Sequence, residues 1–266
     1  MAGNGETGMT TLRNRTVMIT GESSGIGEAC ARAFASEGAR LVLAARRVER
    51  LESLADALAD GLDTEAHVIE LDVRDAAAGD AALSNLSAEW SSIDVLVNNA
   101  GLGLGLGKLH EGIVDHWNQM IDTNVKGLLH VTKAVVPGMV VRRRGHVINI
   151  GSIAGHELYP GGNVYCATKH AVDAITKGLR MDLVDTPIRV STVDPGLVET
   201  EFSFVRFEGD VERAKRVYEG IEVLNGNDVA DAVVYCATRP PHVQINEIIL
   251  TPTNQASALV TSRKSG

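Results

Sequence analysis

The sequence predicts an α/β fold: a single doubly wound parallel sheet of about seven strands with helices on both faces. Three observations predict it. Short aliphatic and β-branched runs alternate with longer helix-like stretches from Arg15 onward. Several of those runs are apolar almost throughout, as strands covered on both faces must be. No linker or composition break divides the 266 residues, so one domain carries the whole pattern.

In order, the first strand is expected over residues 17–20 and is followed by a helix over 26–37. A second strand over 40–44 precedes a helix over 47–59, and strands three and four fall at 67–71 and 94–97. A long helix over 115–141 leads to a fifth strand at 146–150, and a helix over 165–184 leads to a sixth at 188–193. The seventh run is 247–250. The domain is expected over 13–256, with a frayed tail at 1–12 and a C-terminal tail at 257–266. The alternation of glycine and leucine from Gly101 to Gly107 is expected to be a mobile loop after the fourth strand. Its spacing fits neither GxGxxG nor a Walker loop, so it carries no expected phosphate site.

Composition narrows the function classes. Hydrophobic residues make up 44% and charged residues 22%, which suits a chain that buries a core and excludes disorder. Aromatics are 4% while glycine numbers 27, so the core is expected to be Val, Ile, Leu and Ala, with many tight turns. Lys and Arg total 25 against 34 Asp and Glu, a net charge of −9. That balance argues against a nucleic-acid partner bound through phosphates. Cys30, Cys166 and Cys236 have no CxxC or CxH partner, so no metal is expected, and Cys166 reads as a small half-buried thiol on a helix. No apolar run approaches membrane-spanning length and residues 1–10 lack a secretory pattern, so a cytoplasmic protein is expected.

The first strand runs directly into Thr20-Gly21-Glu22-Ser23-Ser24-Gly25-Ile26-Gly27 and then a helix. Glycines there permit a tight turn and close backbone approach to a pyrophosphate, and the helix N-terminus offers that anion free N–H groups and a positive dipole end. The turn therefore reads as the phosphate loop of a Rossmann-type dinucleotide-binding domain. Selection of NAD would place Asp or Glu at the end of the second strand. Here that place reads Ala44-Ala45-Arg46-Arg47 with no carboxylate until Glu49, and two guanidinium groups suit a 2′-phosphate. NADP is the expected cofactor. Asp72 and Val73, after the third strand, are placed to border the adenine, although Asp72 also reads as a helix cap.

Tyr165 and Lys169 stand four residues apart on an expected helix, so both project from one face. A phenol titrating near pH ~10 is a poor base at neutral pH, and a neighbouring ammonium lowers that value. Ser152 sits just past the fifth strand, at the sheet edge where open α/β folds bind ligands, and its hydroxyl is suited to hold a substrate oxygen. An acidic substrate needs a counter-charge. Arg206 is one candidate, with a surface ion pair to Glu201 or Glu208 as the plain alternative; His156 and Tyr159 are placed to add donors, with Tyr159 expected to join Ser152 and Arg206 in contacting substrate, although both read first as pocket walls. The triple Arg142-Arg143-Arg144 reads as a solvated face at a helix C-terminus, where cations are favoured.

Over residues 16–255 the chain resembles the short-chain dehydrogenase/reductase family. It carries TGxxxGxG at Thr20 to Gly27, NNAG at Asn98-Asn99-Ala100-Gly101, Asp122-Thr123-Asn124-Val125, Ser152, YxxxK at Tyr165 and Lys169, and Pro195-Gly196 after the sixth strand. The resemblance implies an active enzyme acting on CH–OH groups, with Ser152, Tyr165, Lys169 and Asn124 catalytic. Asn124 would support a water chain from Lys169 to solvent. It also implies cofactor contacts from Asn99, Ala100, Gly101, Tyr165, Lys169, Pro195, Gly196, Val198 and Thr200, with Lys169 placed to hydrogen-bond the nicotinamide ribose. Finer stretches around residues 122–127, 161–165, 195–210 and 241–246 resemble the NADP-dependent 3-hydroxy acid, or serine-type, dehydrogenase branch. That likeness implies a small 3-hydroxy acid substrate such as serine, 3-hydroxypropionate or 3-hydroxyisobutyrate, its semialdehyde as product, and a homotetramer. Two other readings stay open: an NADPH-dependent reductase of another carbonyl (sulfoacetaldehyde, a bulkier ketone or a 3-oxoacyl thioester), and a catalytically silent NADP-sensing regulator.

Overall fold

The computed structural model describes residues 10–21 and 24–263. Seven strands form one parallel sheet: β1 (Thr16–Thr20), β2 (Arg40–Ala45), β3 (Ala66–Glu70), β4 (Ile93–Asn98), β5 (His146–Ile150), β6 (Arg189–Pro195) and β7 (Glu247–Leu250). Their spatial order is β3-β2-β1-β4-β5-β6-β7. The apolar runs sort by this order: β1, β4 and β5 are buried at every position, whereas edge strands β3 and β7 are partly exposed. The predicted α/β architecture is the one observed.

The helices are α1 (Gly25–Ser36), α2 (Val48–Leu62), α3 (Ala76–Ser84), α4 (Val114–Ile121), α5 (Leu128–Arg142), α6 (Asn163–Asp182), α7 (Phe202–Arg206), α8 (Val211–Arg216) and α9 (Gly226–Thr238). Because strand side chains alternate between faces, the sheet feeds two cores. Val17, Ile19, Leu41, Leu43, Val95 and Val97 pack with Phe34 of α1, Leu51 of α2 and Val233 of α9. Met18, Val42, Leu96 and Val147 point the other way, to Val131, Val135 and Met139 of α5. The chain reverses its direction of winding between neighbours β1 and β4, which opens a crevice at their carboxyl ends.

Four differences from the sequence expectations have physical causes. The helix expected over 115–141 is interrupted by a π-helical turn, Asp122–Gly127, between α4 and α5. Asn124 in that turn is 2% exposed, and its tertiary hydrogen bonds outweigh regular α-helical register. Of the expected tails, residues 1–9 and 264–266 lie outside the described residues, and the parts that are described also make packed contacts. Thr10 donates its N–H to the Thr238 carbonyl at 2.8 Å, Leu12 is 2% exposed, and the Ala258 N–H donates to Glu157 at 2.8 Å. The arginine triple is only partly solvated, since Arg142 donates to the Ile93 carbonyl at 2.7 Å and Arg144 pairs with Asp94. Cys166 is fully buried rather than half-buried, and that burial pushes its thiol above the ordinary range. Among the described residues, no helix is long and apolar enough to cross a membrane.

Candidate active site

The crevice is a cleft of about 520 Å³ running from the β1–α1 turn to the segment after β6. Its floor is built where side chains are excluded. Gly21 has φ 74°, and a Cβ there would stand 2.8 Å from the Ala100 Cα. Gly25 has φ 63°, with the Thr200 Cβ 3.1 Å from its missing side chain. Thr20 Oγ1 accepts from the N–H groups of Asn99 and Ala100, each at 3.1 Å, while the Asn99 amide donates to the carbonyls of Thr20 and Gly21. The NNAG turn is thereby fastened to the glycine turn. Ser24 stands at the N-cap of α1 without making a side-chain cap, so its hydroxyl leaves the first-turn N–H groups to an anion. Ile26 lines the cleft beside it, Gly27 is buried in the first turn of α1, and Ser23 lies outside the described residues.

At the far end, β2 delivers Arg46 and Arg47 to the cleft wall. Arg47 donates to Ser24 Oγ at 3.1 Å and to Glu201 at 3.1 Å; Arg50, one turn further along α2, donates to the other Glu201 oxygen at 2.8 Å. Arg50 is a member of this cluster that the sequence reading missed. Its spacing of four from Arg46 was the available signal. Asp72 and Val73 line the cleft as expected. Asp72 is clasped by Arg74, which holds its carboxyl below the usual range. The cap of α3 is Asp75, which accepts from the Ala78 N–H at 3.0 Å. Asp72 is not a helix cap.

The predicted catalytic groups converge at the other end. Ser152 follows β5 and is 9% exposed; its Oγ accepts from the Ala154 N–H at 3.1 Å. Helix α6 carries Tyr165 and Lys169 on one face. Lys169 is 8% exposed and donates to the Ile150 carbonyl at 2.8 Å. Burial brings its ammonium down from 10.5 to about 8, opposed by the charge of Asp194. The Tyr165 phenol is pushed well above its ordinary value by burial; the opposing pull comes first from Arg206 and also from the Ser152 hydroxyl. Lys169 was expected to be the neighbouring cation. Its Nζ lies 6.0 Å from the Tyr165 ring centroid, whereas the Arg206 guanidinium carbon lies at 4.8 Å. The two acidic neighbours expected for Arg206 are engaged elsewhere, Glu201 with Arg47 and Arg50 and Glu208 with His116 at 3.4 Å.

Asn124 uses its side chain to position the glycine–leucine loop. Its Oδ1 accepts from the Leu102 N–H at 2.8 Å, and its Nδ2 donates to the Leu102 carbonyl at 2.8 Å and to Thr168 Oγ1 at 3.0 Å. Gly101 sits beside it, with Asn124 Oδ1 and Lys169 Nζ 3.4 and 3.8 Å from its missing Cβ. The loop expected to be free is thus tied down at Leu102, and again where the Gly105 N–H donates to the Arg206 carbonyl at 2.9 Å. Pro195, Gly196, Val198 and Thr200 line the opposite wall. A Cβ on Gly196 would meet Gln255 Oε1 at 2.3 Å, so Gln255, which sequence reasoning missed, packs directly against the glycine. Tyr159 lines the cleft as a wall. His156, expected beside it, instead turns to Asp194 at 3.2 Å and Glu247 at 3.1 Å.

A family model described as short chain dehydrogenase matches residues 15–209. Over 250 residues the chain is 48% identical to an NADP-dependent 3-hydroxy acid dehydrogenase of Salmonella typhi, a span that covers 94% of this chain and 99% of the relative. An NADP-dependent 3-hydroxy acid dehydrogenase of Schizosaccharomyces pombe is 42% identical over 257 residues, covering 96% and 99%. Among solved structures, the closed form of a serine dehydrogenase complexed with NADP+ matches with a TM-score of 0.88 at 45% identity, over 94% of this chain and 100% of that one. The matched span runs from the strand that enters the glycine turn to the segment lying over Tyr165, and on that evidence the chain belongs to the short chain dehydrogenase family.

Proposed function

We propose that this protein is an NADP-dependent oxidoreductase that interconverts a small 3-hydroxy acid and its semialdehyde or ketone. One observation carries the reading: a single cleft holds Ser152, Tyr165 and Lys169 at one end and Arg46 and Arg47 at the other. The donor set fits a dinucleotide carrying an extra phosphate. The N–H groups of α1 that Ser24 leaves uncapped and the side-chain-free Gly21 and Gly25 suit the pyrophosphate, and Arg46 and Arg47 suit the 2′-phosphate. When bound, the nicotinamide supplies the hydride acceptor or donor.

The remaining chemistry belongs to the chain. Ser152 donates its hydroxyl to the substrate oxygen and fixes it beside Tyr165. In the oxidative direction the Tyr165 phenolate takes the alcohol proton; in the reductive direction the phenol returns it. Lys169 and Arg206 place positive charge near the phenol and favour its ionised form. Asn124, through its hold on Leu102, keeps the loop seated beside Lys169, and it sustains the proton relay from that ammonium. Arg206 offers the counter-charge for the acid. Oxidation and reduction share every one of these groups. The same reading carries a homotetramer in the cytoplasm, the assembly being checked by light scattering.

The test is a panel of small 3-hydroxy acids, their methyl esters, simple alcohols and sulfoacetaldehyde, assayed with NADP(H) and NAD(H) in parallel. Free 3-hydroxy acids with NADP are expected to lead the panel. A clear preference for NAD, or for an ester over its acid, would overturn the assignment.

A further inference from the structure

His156, Asp194 and Glu247 converge outside the walls of the cleft, and the reaction proposed above uses none of them as a reacting group. The sheet brings two of them together. Strands β6 and β7 pair in parallel with Thr192 opposite Glu247. Side chains two residues apart on a strand share a face, so Asp194 joins Thr192 and Glu247 on one side of the sheet. His156 comes from the loop after β5, and its Nε2 lies 3.2 Å from Asp194 Oδ2 and 3.1 Å from Glu247 Oε1. One donor atom from each residue lies within 4.8 Å of the other two. Asp194 is fixed in place. Thr192 donates its hydroxyl to the same Oδ2 at 2.8 Å, and the absence of a side chain at Gly151 makes room for Oδ1.

Two carboxylates held this close repel each other, and the neighbouring cations of α6 are engaged elsewhere. Lys169 donates to the Ile150 carbonyl at 2.8 Å and Lys177 to Asp173 at 2.7 Å. Arg180 donates to the carbonyls of Val190 and Asn246 at 3.0 and 2.8 Å. Among the described residues, His156 is the one basic side chain that pairs with Asp194 or Glu247. The imidazole cannot satisfy both carboxylates, because Nε2 carries one hydrogen at most. A cation seated among the three donor atoms satisfies all of them at once. Ligands about 2.1 Å from a tetrahedral zinc ion stand about 3.4 Å apart, close to the two separations at His156. One imidazole with carboxylates suits zinc and its neighbours, whereas magnesium and calcium favour oxygen throughout. The side chains of His156 and Glu247 are 24% and 32% exposed, which leaves an entry path and the remaining positions to water. Thr192 supplies the outer hydrogen bond that orients a ligating carboxylate.

We propose that His156, Asp194 and Glu247 form a binding site for a divalent metal ion of the zinc class. The ion ties the loop after β5 to strands β6 and β7. Its role is structural, and the proton chemistry stays with Tyr165. Cysteine spacing, which argued against a metal, does not bear on this site, because its ligands come from three separate segments and include no cysteine.

The test is equilibrium dialysis of the chelator-treated full chain against zinc chloride and magnesium chloride, with thermal unfolding as a second readout. Wild type, His156→Ala and Glu247→Gln are compared. Both substitutions fall at partly exposed side chains, so the metal-free variants should fold. Wild type should bind one zinc ion per chain at this site, with magnesium at least about 100-fold weaker. Zinc at about 100 times its dissociation constant should raise the unfolding midpoint by about 5–10 °C. Each variant should bind zinc about 10-fold to 100-fold more weakly and show a smaller rise at the same zinc concentration. No zinc bound by wild type, zinc bound as tightly by both variants, or magnesium bound as tightly as zinc would overturn the proposal.

Discussion

The carboxylate of Glu201 accepts a hydrogen bond from the Arg47 guanidinium at 3.1 Å across the mouth of the cleft. Its second oxygen binds Arg50, and these contacts, Arg50 first, bring Glu201 down to about 2. Both side chains of the Arg47 pair are more than 40% exposed, at 44% and 42%, so the pair adds little to stability. Its consequence is for binding, because a 2′-phosphate brought to Arg47 meets a resident negative charge. Glu201→Gln should tighten NADPH by about threefold to tenfold while NADH changes by less than about twofold, read by calorimetry. Weaker NADPH binding would mean instead that Glu201 organises the arginines for the phosphate.

Lys169 makes a prediction about stability and pH. Its ammonium titrates at about 8 in the folded chain against 10.5 ordinarily, so the buried charge disfavours folding below pH 8 by on the order of 3 kcal/mol at ~1.4 kcal/mol per pH unit. As pH rises from about 8 through 10.5, the folded state sheds its proton before the unfolded state, and that penalty disappears. Lys169→Met should therefore be more stable than wild type at pH 7 in urea unfolding, with the advantage vanishing by about pH 10.5. A variant less stable than wild type at every pH would contradict the burial argument.

Two glycines should respond to alanine with opposite signs. Gly21 has φ 74° and no room toward Ala100, so Gly21→Ala should cost about 1–3 kcal/mol and weaken coenzyme binding as well. Gly178, inside α6, has nothing within 4 Å of its missing Cβ. Gly178→Ala should stabilise by about 0.5–1 kcal/mol through helix propensity. Unfolding midpoints of the two variants, measured side by side, check both signs.

How much of this was legible in the sequence depended on how local each feature is. The sheet was legible because Val17, Ile19, Val95 and Val147 sit in short apolar runs whose burial on both faces leaves no other pattern. Tyr165 and Lys169 were legible because helical spacing alone puts them on one face. The π turn was not, since it depends on Asn124 reaching Leu102 and Thr168, 22 and 44 residues away. The partners of Arg142, Arg144 and His156 were hidden for the same reason; each lies on a neighbouring strand that is distant in sequence. Arg206 was legible as a charge near the pocket but not as the cation on Tyr165, because that contact exists only once α7 folds back over α6.

The single hydroxyl of Tyr165 bears the most on all of this. Tyr165→Phe keeps the ring that packs against Phe202 at 5.4 Å and Arg206 at 4.8 Å while removing the atom that exchanges the proton. Turnover of the best 3-hydroxy acid should fall by about 100-fold to 10,000-fold, with the dissociation constant for NADPH within about threefold of wild type. Activity near the wild-type level in that variant would contradict the assignment of Tyr165 as the proton-transferring group.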